Sequence, residues 1–162
     1  MNIHFQTIDV SFLRDLGRSY LTQNGDSPFV TNRNALFLTA AHAKAQVIGA
    51  SKLYAGFCQT DFSGFTDCRE EFLQLFVASL NLGYNVTIEL VTPLLFKTKS
   101  EMLEEAERKG FIDKMLDAVT CYMGSNIINE WGKGCGACPS CKQRRKGWES
   151  FIQQKPTTVT GG

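Results

Sequence analysis

The stretch Leu53-Tyr54-Ala55-Gly56-Phe57-Cys58 is short and apolar, and a polar, glycine-containing loop from 59 to 69 follows it. A run of that length, bounded by turn residues, reads as a buried strand. Upstream, residues 34–48 carry a helical pattern with Leu36, Phe37, Ala40, Ala41 and Val47 facing the core, closed by Gly49. Downstream, residues 70–81 present Phe72, Leu75, Phe76 and Leu80 on one helical face, with Gly83 as the stop. Residues 86–91 form a second strand ended by Pro93, and Ser100 caps a helix carrying Met102, Leu103 and Ala106 that ends at Gly110. Before all of these, residues 3–10 read as a strand. A short helix then starts at Ser11 as N-cap and carries Phe12, Leu13 and Leu16, with Gly25-Asp26-Ser27-Pro28 as a loop. Strands alternating with helices specify an α/β fold with a parallel sheet. Ligands in such sheets bind beyond the carboxyl ends of the strands. That rule selects residues 30–34, the loop after Cys58, and Thr92-Pro93-Leu94.

Composition bounds the rest. The 162 residues are 43% hydrophobic and 20% charged with a net charge of +1. These values suit a soluble globular chain and give no bulk attraction to nucleic acid or to an anionic membrane. With no apolar run of about 18 residues and no secretory pattern at the N-terminus, the expected location is the cytoplasm. Neither His4 nor His42 has a nucleophile close in sequence, so neither is assigned a catalytic role. The basic run Lys142, Arg144, Arg145, Lys146 reads as a solvated helix face, with a nucleic-acid patch as the weaker alternative.

Cysteine spacing carries the chemistry. Cys135-Gly-Ala-Cys138-Pro-Ser-Cys141, joined by Cys121, supplies four thiolates of the type that encloses a tetrahedral zinc. A closed shell of four leaves no open position, so the zinc is read as structural, against free thiols or a redox pair. Neither Cys58 nor Cys68 reads as a metal ligand: Cys58 reads as packing, and Cys68 as a wall of a substrate site.

Arg33-Asn34 opening the helix RNALFLTAAHAKAQVIGA, then Asp61-Phe62-Ser63-Gly64-Phe65-Thr66-Asp67-Cys68-Arg69, Thr92-Pro93-Leu94, Thr120-Cys121-Tyr122 and the cysteine run through Arg144, occur in one order. Together they closely resemble the 7-cyano-7-deazaguanine synthase family, from about residue 4 to residue 156. The resemblance implies a Rossmann-like sheet of the adenine nucleotide alpha hydrolase type over residues 1–118. A zinc-binding segment and final helix would occupy 119–156, and a tail 157–162. It implies a carbon–nitrogen ligase that uses ATP and Mg²⁺ to convert 7-carboxy-7-deazaguanine and ammonia into 7-cyano-7-deazaguanine. Arg33, Asn34, Asp61, Ser63, Asp67 and Arg69 would contact substrate or nucleotide, the last four alternatively a dimer partner, with Asp61 or Asp67 on the amidine-like edge of the deazapurine; Arg144 would help bind phosphate. Cys121, Cys135, Cys138 and Cys141 would hold zinc.

Two departures qualify that expectation. The family's Ser-Gly-Gly-x-Asp-Ser loop, whose amides cradle pyrophosphate, does not occur in residues 1–162, and the similarity begins near the family's third strand. The sheet is therefore expected to be incomplete at its N-terminal side. A homodimer through the exposed sheet edge, or a second chain that supplies the missing strands and loop, is the expected partner, and this chain alone would show little ATP pyrophosphatase activity. A non-catalytic deazapurine-binding module, or an inactive remnant, is the alternative. Thirteen residues separate Cys121 from Cys135, and Ile127-Ile128-Asn129-Glu130-Trp131 is expected to loop out without moving the thiolates.

Overall fold

The computed structural model describes residues 7–15, 19 and 29–155, apart from the side chains of residues 60, 62 and 63. A 3-10 turn, Ser11–Asp15, precedes α1 (Arg33–Val47), β1 (Lys52–Tyr54), α2 (Gln59–Gly64) and α3 (Glu70–Tyr84). Then come β2 (Glu89–Val91), α4 (Lys99–Arg108), α5 (Ile112–Asp117), the hairpin β3 (Ile128–Asn129) and β4 (Gly132–Lys133), and α6 (Pro139–Gln154). β1 and β2 pair in parallel, Leu53 opposite Leu90 and Tyr54 opposite Val91, and α2 and α3 lie on the crossover between them. The α/β class with a parallel sheet is thus the observed one.

The core is where α1, α3 and the two strands meet. Leu38, Leu73, Val77, Leu90 and Leu95 are buried together, with Leu53, Phe57, Phe72 and Phe76 against them. The stripe that α1 turns inward is Asn34, Leu38, His42 and Ala45. The expected one failed: Phe37 is 44% and Val47 79% exposed. Apolar residues surround α1 on most sides, so periodicity alone could not choose its inner face. On α3 the same ambiguity misplaced Leu75, which is exposed, while Leu73 and Val77 face inward.

Helix ends follow local chemistry. Gly110 sits at φ +73°, where a side chain would strain the backbone. Its amide bonds Glu107 O and the next amide, Phe111, bonds Ala106 O, both at 2.9 Å, a Schellman closure of α4. α3 runs through Gly83 and stops at Asn85, which takes the left-handed conformation instead. The cap of α4 is Thr98, whose side chain accepts from Glu101 N at 3.2 Å while Glu101 accepts from Thr98 N at 2.7 Å. Ser100 is not the cap; it lies buried and donates to Gln154 on α6. Ser11 is not a cap either: its amide donates to Asp9 at 2.8 Å, so Asp9 serves the first turn. Residues 7–10 form no strand, and the rest of that expected strand, like Leu16 and the loop at 25–28, lies outside the described residues. The strands are shorter than their apolar runs, and Tyr54 is 67% exposed. Among the described residues no helix is long and apolar enough to cross a membrane.

α4 packs along α6 at Gly147, where an added Cβ would run into the Lys99 side chain. α6 in turn carries the second cluster: Trp131 from the hairpin turn, Trp148, and the four cysteines.

Candidate functional site

A cavity of about 400 Å³ opens beyond the carboxyl end of β1. Its polar wall comes from Arg33 and Asn34 at the start of α1 and from Asp61 on α2; Phe57, Phe65 and Cys68 supply much of the rest. Asn34 is buried and donates through Nδ2 to Cys68 Sγ at 3.2 Å, while Arg33 Nε reaches Asn34 Oδ1 at 3.4 Å. The left-handed backbone at Asn32, φ +56°, turns the chain into α1 so that Arg33 and Asn34 begin the helix. Asp61 Oδ2 accepts from Cys58 N at 3.1 Å and from Cys58 Sγ at 3.0 Å. Cys58, fully buried, therefore fixes the first turn of α2 as well as filling space.

Burial pushes the Cys68 thiol up to about 12, the carboxylates of Asp67 and Asp61 add to the effect, and Arg33 and Asn34 only partly oppose it. It is a neutral wall of the cavity at ordinary pH, not a nucleophile. Of the six residues singled out from sequence, Arg33, Asn34 and Asp61 share the lining. Asp67 stands outside it, half-buried, 3.9 Å from Cys68 Sγ. Arg69 is exposed at the start of α3 and does not line the cavity. Ser63 lies in α2, and its side chain is outside the description.

The second centre is the cysteine cluster. Sulfur atoms of Cys121, Cys135, Cys138 and Cys141 all lie within 4.8 Å of one another, with Cys121–Cys138 and Cys135–Cys141 both at 4.0 Å. A tetrahedral ion with ligand bonds of about 2.3 Å has sulfur–sulfur edges of about 3.8 Å, so the arrangement fits a metal ion. None of the six cysteines forms a disulfide. Burial disfavours the Cys121 thiolate, yet amides of Cys135, Ser125 and Met123 directed at its sulfur outweigh that and hold it down to about 6. Burial pushes Cys141 up to about 12, with the neighbouring thiols adding to it. Gly134 is required here, since a Cβ would lie 2.5 Å from Cys141 Sγ. The residues 127–131 do not merely loop out. They begin the β3–β4 hairpin and deliver Trp131 onto the cluster.

Arg144 is not at the cavity. Its guanidinium donates to the carbonyls of Met115 (2.7 Å), Leu116 (3.1 Å) and Ala118 (2.6 Å) and to Thr120 Oγ1 (3.3 Å), clamping the end of α5. The residue that sequence reasoning missed is Tyr122, which lines the cavity from the cysteine segment. Its place beside Cys121 in the Thr120-Cys121-Tyr122 signature was the available signal.

A parallel β-α-β layer with a mixed polar and aromatic cavity at its strand ends, fastened to a four-thiol centre, defines an α/β protein with a segment able to hold a metal ion. Residues 1–152 match the family described as queuosine biosynthesis protein QueC. The protein of Helicobacter pylori (strain P12) named 7-cyano-7-deazaguanine synthase is 40% identical over 167 residues, covering 93% of this chain and 73% of its own length. The proteins of that name from Helicobacter acinonychis (strain Sheeba) and Nitratidesulfovibrio vulgaris (strain DP4) are each 38% identical, over 93% and 90% of this chain and 74% and 66% of their own lengths. The chain belongs to the queuosine biosynthesis protein QueC family.

Proposed function

We propose that this chain carries the deazapurine-binding part of a 7-cyano-7-deazaguanine synthase. The observation that carries the reading is the cavity at the end of β1, where Arg33 and Asn34 from α1 and Asp61 from α2 converge among aromatic walls. A flat, hydrogen-bonding heterocycle needs such a set: π faces above and below, and a carboxylate that accepts N–H groups from its amidine-like edge. Asp61, which faces the cavity, takes that role rather than Asp67. Arg33, at the cavity wall, pairs with the substrate carboxylate or a nucleotide phosphate.

The reaction runs in two activations. The substrate carboxylate attacks the α-phosphorus of ATP and pyrophosphate leaves. Ammonia then attacks the acyl carbon and loses a proton, AMP leaves with the activated oxygen, and an amide remains. The amide oxygen attacks the α-phosphorus of a second ATP, pyrophosphate leaves, and loss of AMP and of both amide protons leaves the nitrile. Mg²⁺, when bound with ATP, would supply screening of the phosphate charge. Cys121, Cys135, Cys138 and Cys141 would hold zinc, which would fasten α6 and the hairpin rather than take part in chemistry. All six cysteines being thiols fits a reducing cytoplasm.

Residues 1–162 contain no Ser-Gly-Gly-x-Asp-Ser sequence. The pyrophosphate cradle is supplied by polypeptide outside these residues, docking where β1 has no outer neighbour among the described residues. That same sequence fact favours, as the second reading, a module that binds deazapurine without catalysis. The test is AMP release from ATP, Mg²⁺, ammonia and 7-carboxy-7-deazaguanine, with and without a polypeptide bearing the loop. AMP that requires substrate and ammonia, and that appears only with the loop supplied, supports the synthase. Deazapurine binding with no AMP under any combination leaves the binding module.

A further inference from the structure

The lining of the cavity runs from residue 33 to residue 68 with one exception, Tyr122. That residue belongs to the cysteine segment, and everything around it is tied to the thiol cluster. Its own backbone amide donates to the Cys138 sulfur. The amides of Met123 and Ser125 donate to the Cys121 sulfur. Gly124 closes a turn onto Cys121 O at 3.0 Å with φ +63°. Just before the turn, Thr120 O accepts from Ser140 Oγ at 2.6 Å, and Arg144 reaches Thr120 Oγ1. The backbone of Tyr122 is thus fastened to the same group of sulfur atoms that would coordinate an ion. Tyr122, 36% exposed, stands in the wall of a cavity built by another part of the chain.

We propose that Tyr122 is a specificity-determining residue of the cavity, stacking on the planar base of the ligand, and that the metal-loaded cysteine cluster holds it there. The proposal rests on the deazapurine reading of the cavity. An aromatic side chain is suited to the task because base–ring stacking contributes affinity with little conformational loss on binding. The cluster contributes rigidity: N–H groups directed at coordinated sulfur leave the turn few alternative conformations. The metal centre is thereby linked to substrate affinity although no sulfur lines the cavity apart from Cys68.

Two measurements test the two halves separately. In the first, the protein is labelled with 3-fluorotyrosine and the Tyr122 resonance is assigned by its loss in Tyr122→Phe. The expected result is a single sharp ¹⁹F line with zinc bound that moves or broadens when zinc is removed. A line indifferent to zinc, while the metal is shown to leave, overturns the tether. In the second, calorimetric titration with 7-carboxy-7-deazaguanine compares the zinc-loaded chain with Tyr122→Phe and Tyr122→Leu. Stacking of one base is worth roughly 1–3 kcal/mol, so Tyr122→Leu should lose about fivefold to 150-fold in affinity while Tyr122→Phe retains it. Equal affinity in all three overturns the stacking role and leaves the synthase reading intact. A folded, zinc-loaded chain that binds no deazapurine overturns both the synthase reading and the stacking role, with the tether still decided by the ¹⁹F line.

Discussion

Replacing Arg144 by Met separates a structural clamp from a phosphate ligand. The guanidinium spans three carbonyls, Met115, Leu116 and Ala118, at 2.6 to 3.1 Å, and the first two lie in the last turn of α5, whose carbonyls lack helical partners. A hydrogen bond to a charged group contributes roughly 1.5–3 kcal/mol, but the bonds share one cation and water can reach part of the site. The summed loss is therefore about 2–4 kcal/mol rather than the full threefold total. Urea unfolding of the zinc-saturated protein reads it directly. With a slope of about 1–3 kcal/mol per molar, the midpoint should fall by roughly 1–2 M. Arg144→Lys should recover little, because an ammonium cannot present the planar fork that reaches separate carbonyls. An unchanged midpoint with weakened ATP affinity would refute the clamp and return Arg144 to the phosphates.

Other outcomes follow from the same geometry. Cys138→Ser should abolish stoichiometric zinc retention and make the fold of the C-terminal segment sensitive to mild chelators, since structural zinc contributes on the order of 10–16 kcal/mol in small sites; metal quantification with circular dichroism checks this. Gly147→Ala should cost about 1–3 kcal/mol, because its Cβ would overlap Lys99 between α4 and α6; thermal unfolding reads the loss. Cys68 ionises near 9.0 when unfolded and near 12 when folded, so above pH 9 the unfolded chain releases the proton first and stability falls as pH rises. Cys68→Ser should flatten that alkaline decline in urea midpoints between pH 8 and pH 10.5, and identical slopes would contradict the assignment.

The alternation of strand and helix was legible because each element is short, apolar on some face and bounded by turn residues, and Gly49 and Gly110 stop their helices as expected. Inner faces were not legible on α1 and α3, where Phe37, Val47 and Leu75 are as apolar as the residues that are buried. Burial there is decided by which helix packs on which strand, a tertiary choice with no local trace. The Thr98 cap was readable in principle, since Thr98-x-x-Glu101 is a capping-box spacing. Ser100 drew the eye only because serine favours caps too. At the site, the convergence of Arg33, Asn34 and Asp61 followed from the strand-end rule, and the four cysteines from their spacing. Asp67 and Arg69 share the motif with Asp61 but not its direction: a 3-10 turn, Thr66–Cys68, carries Asp67 past the cavity rim. The roles of Arg144 and Tyr122 depend on contacts over long sequence separations, Arg144 with residues 26 to 29 positions away. No periodicity encodes those.

The most direct test is nitrile formation itself. Zinc-loaded residues 1–162, a polypeptide bearing the pyrophosphate loop, ATP, Mg²⁺, ammonia and 7-carboxy-7-deazaguanine are combined, and the product is followed by mass spectrometry. Nitrile that forms with Asp67→Asn but not with Asp61→Asn is the predicted result. Nitrile formed equally by both variants would contradict the assignment of the cavity as the deazapurine site. No nitrile from the unaltered chain, folded and supplied with the loop, would contradict the synthase itself.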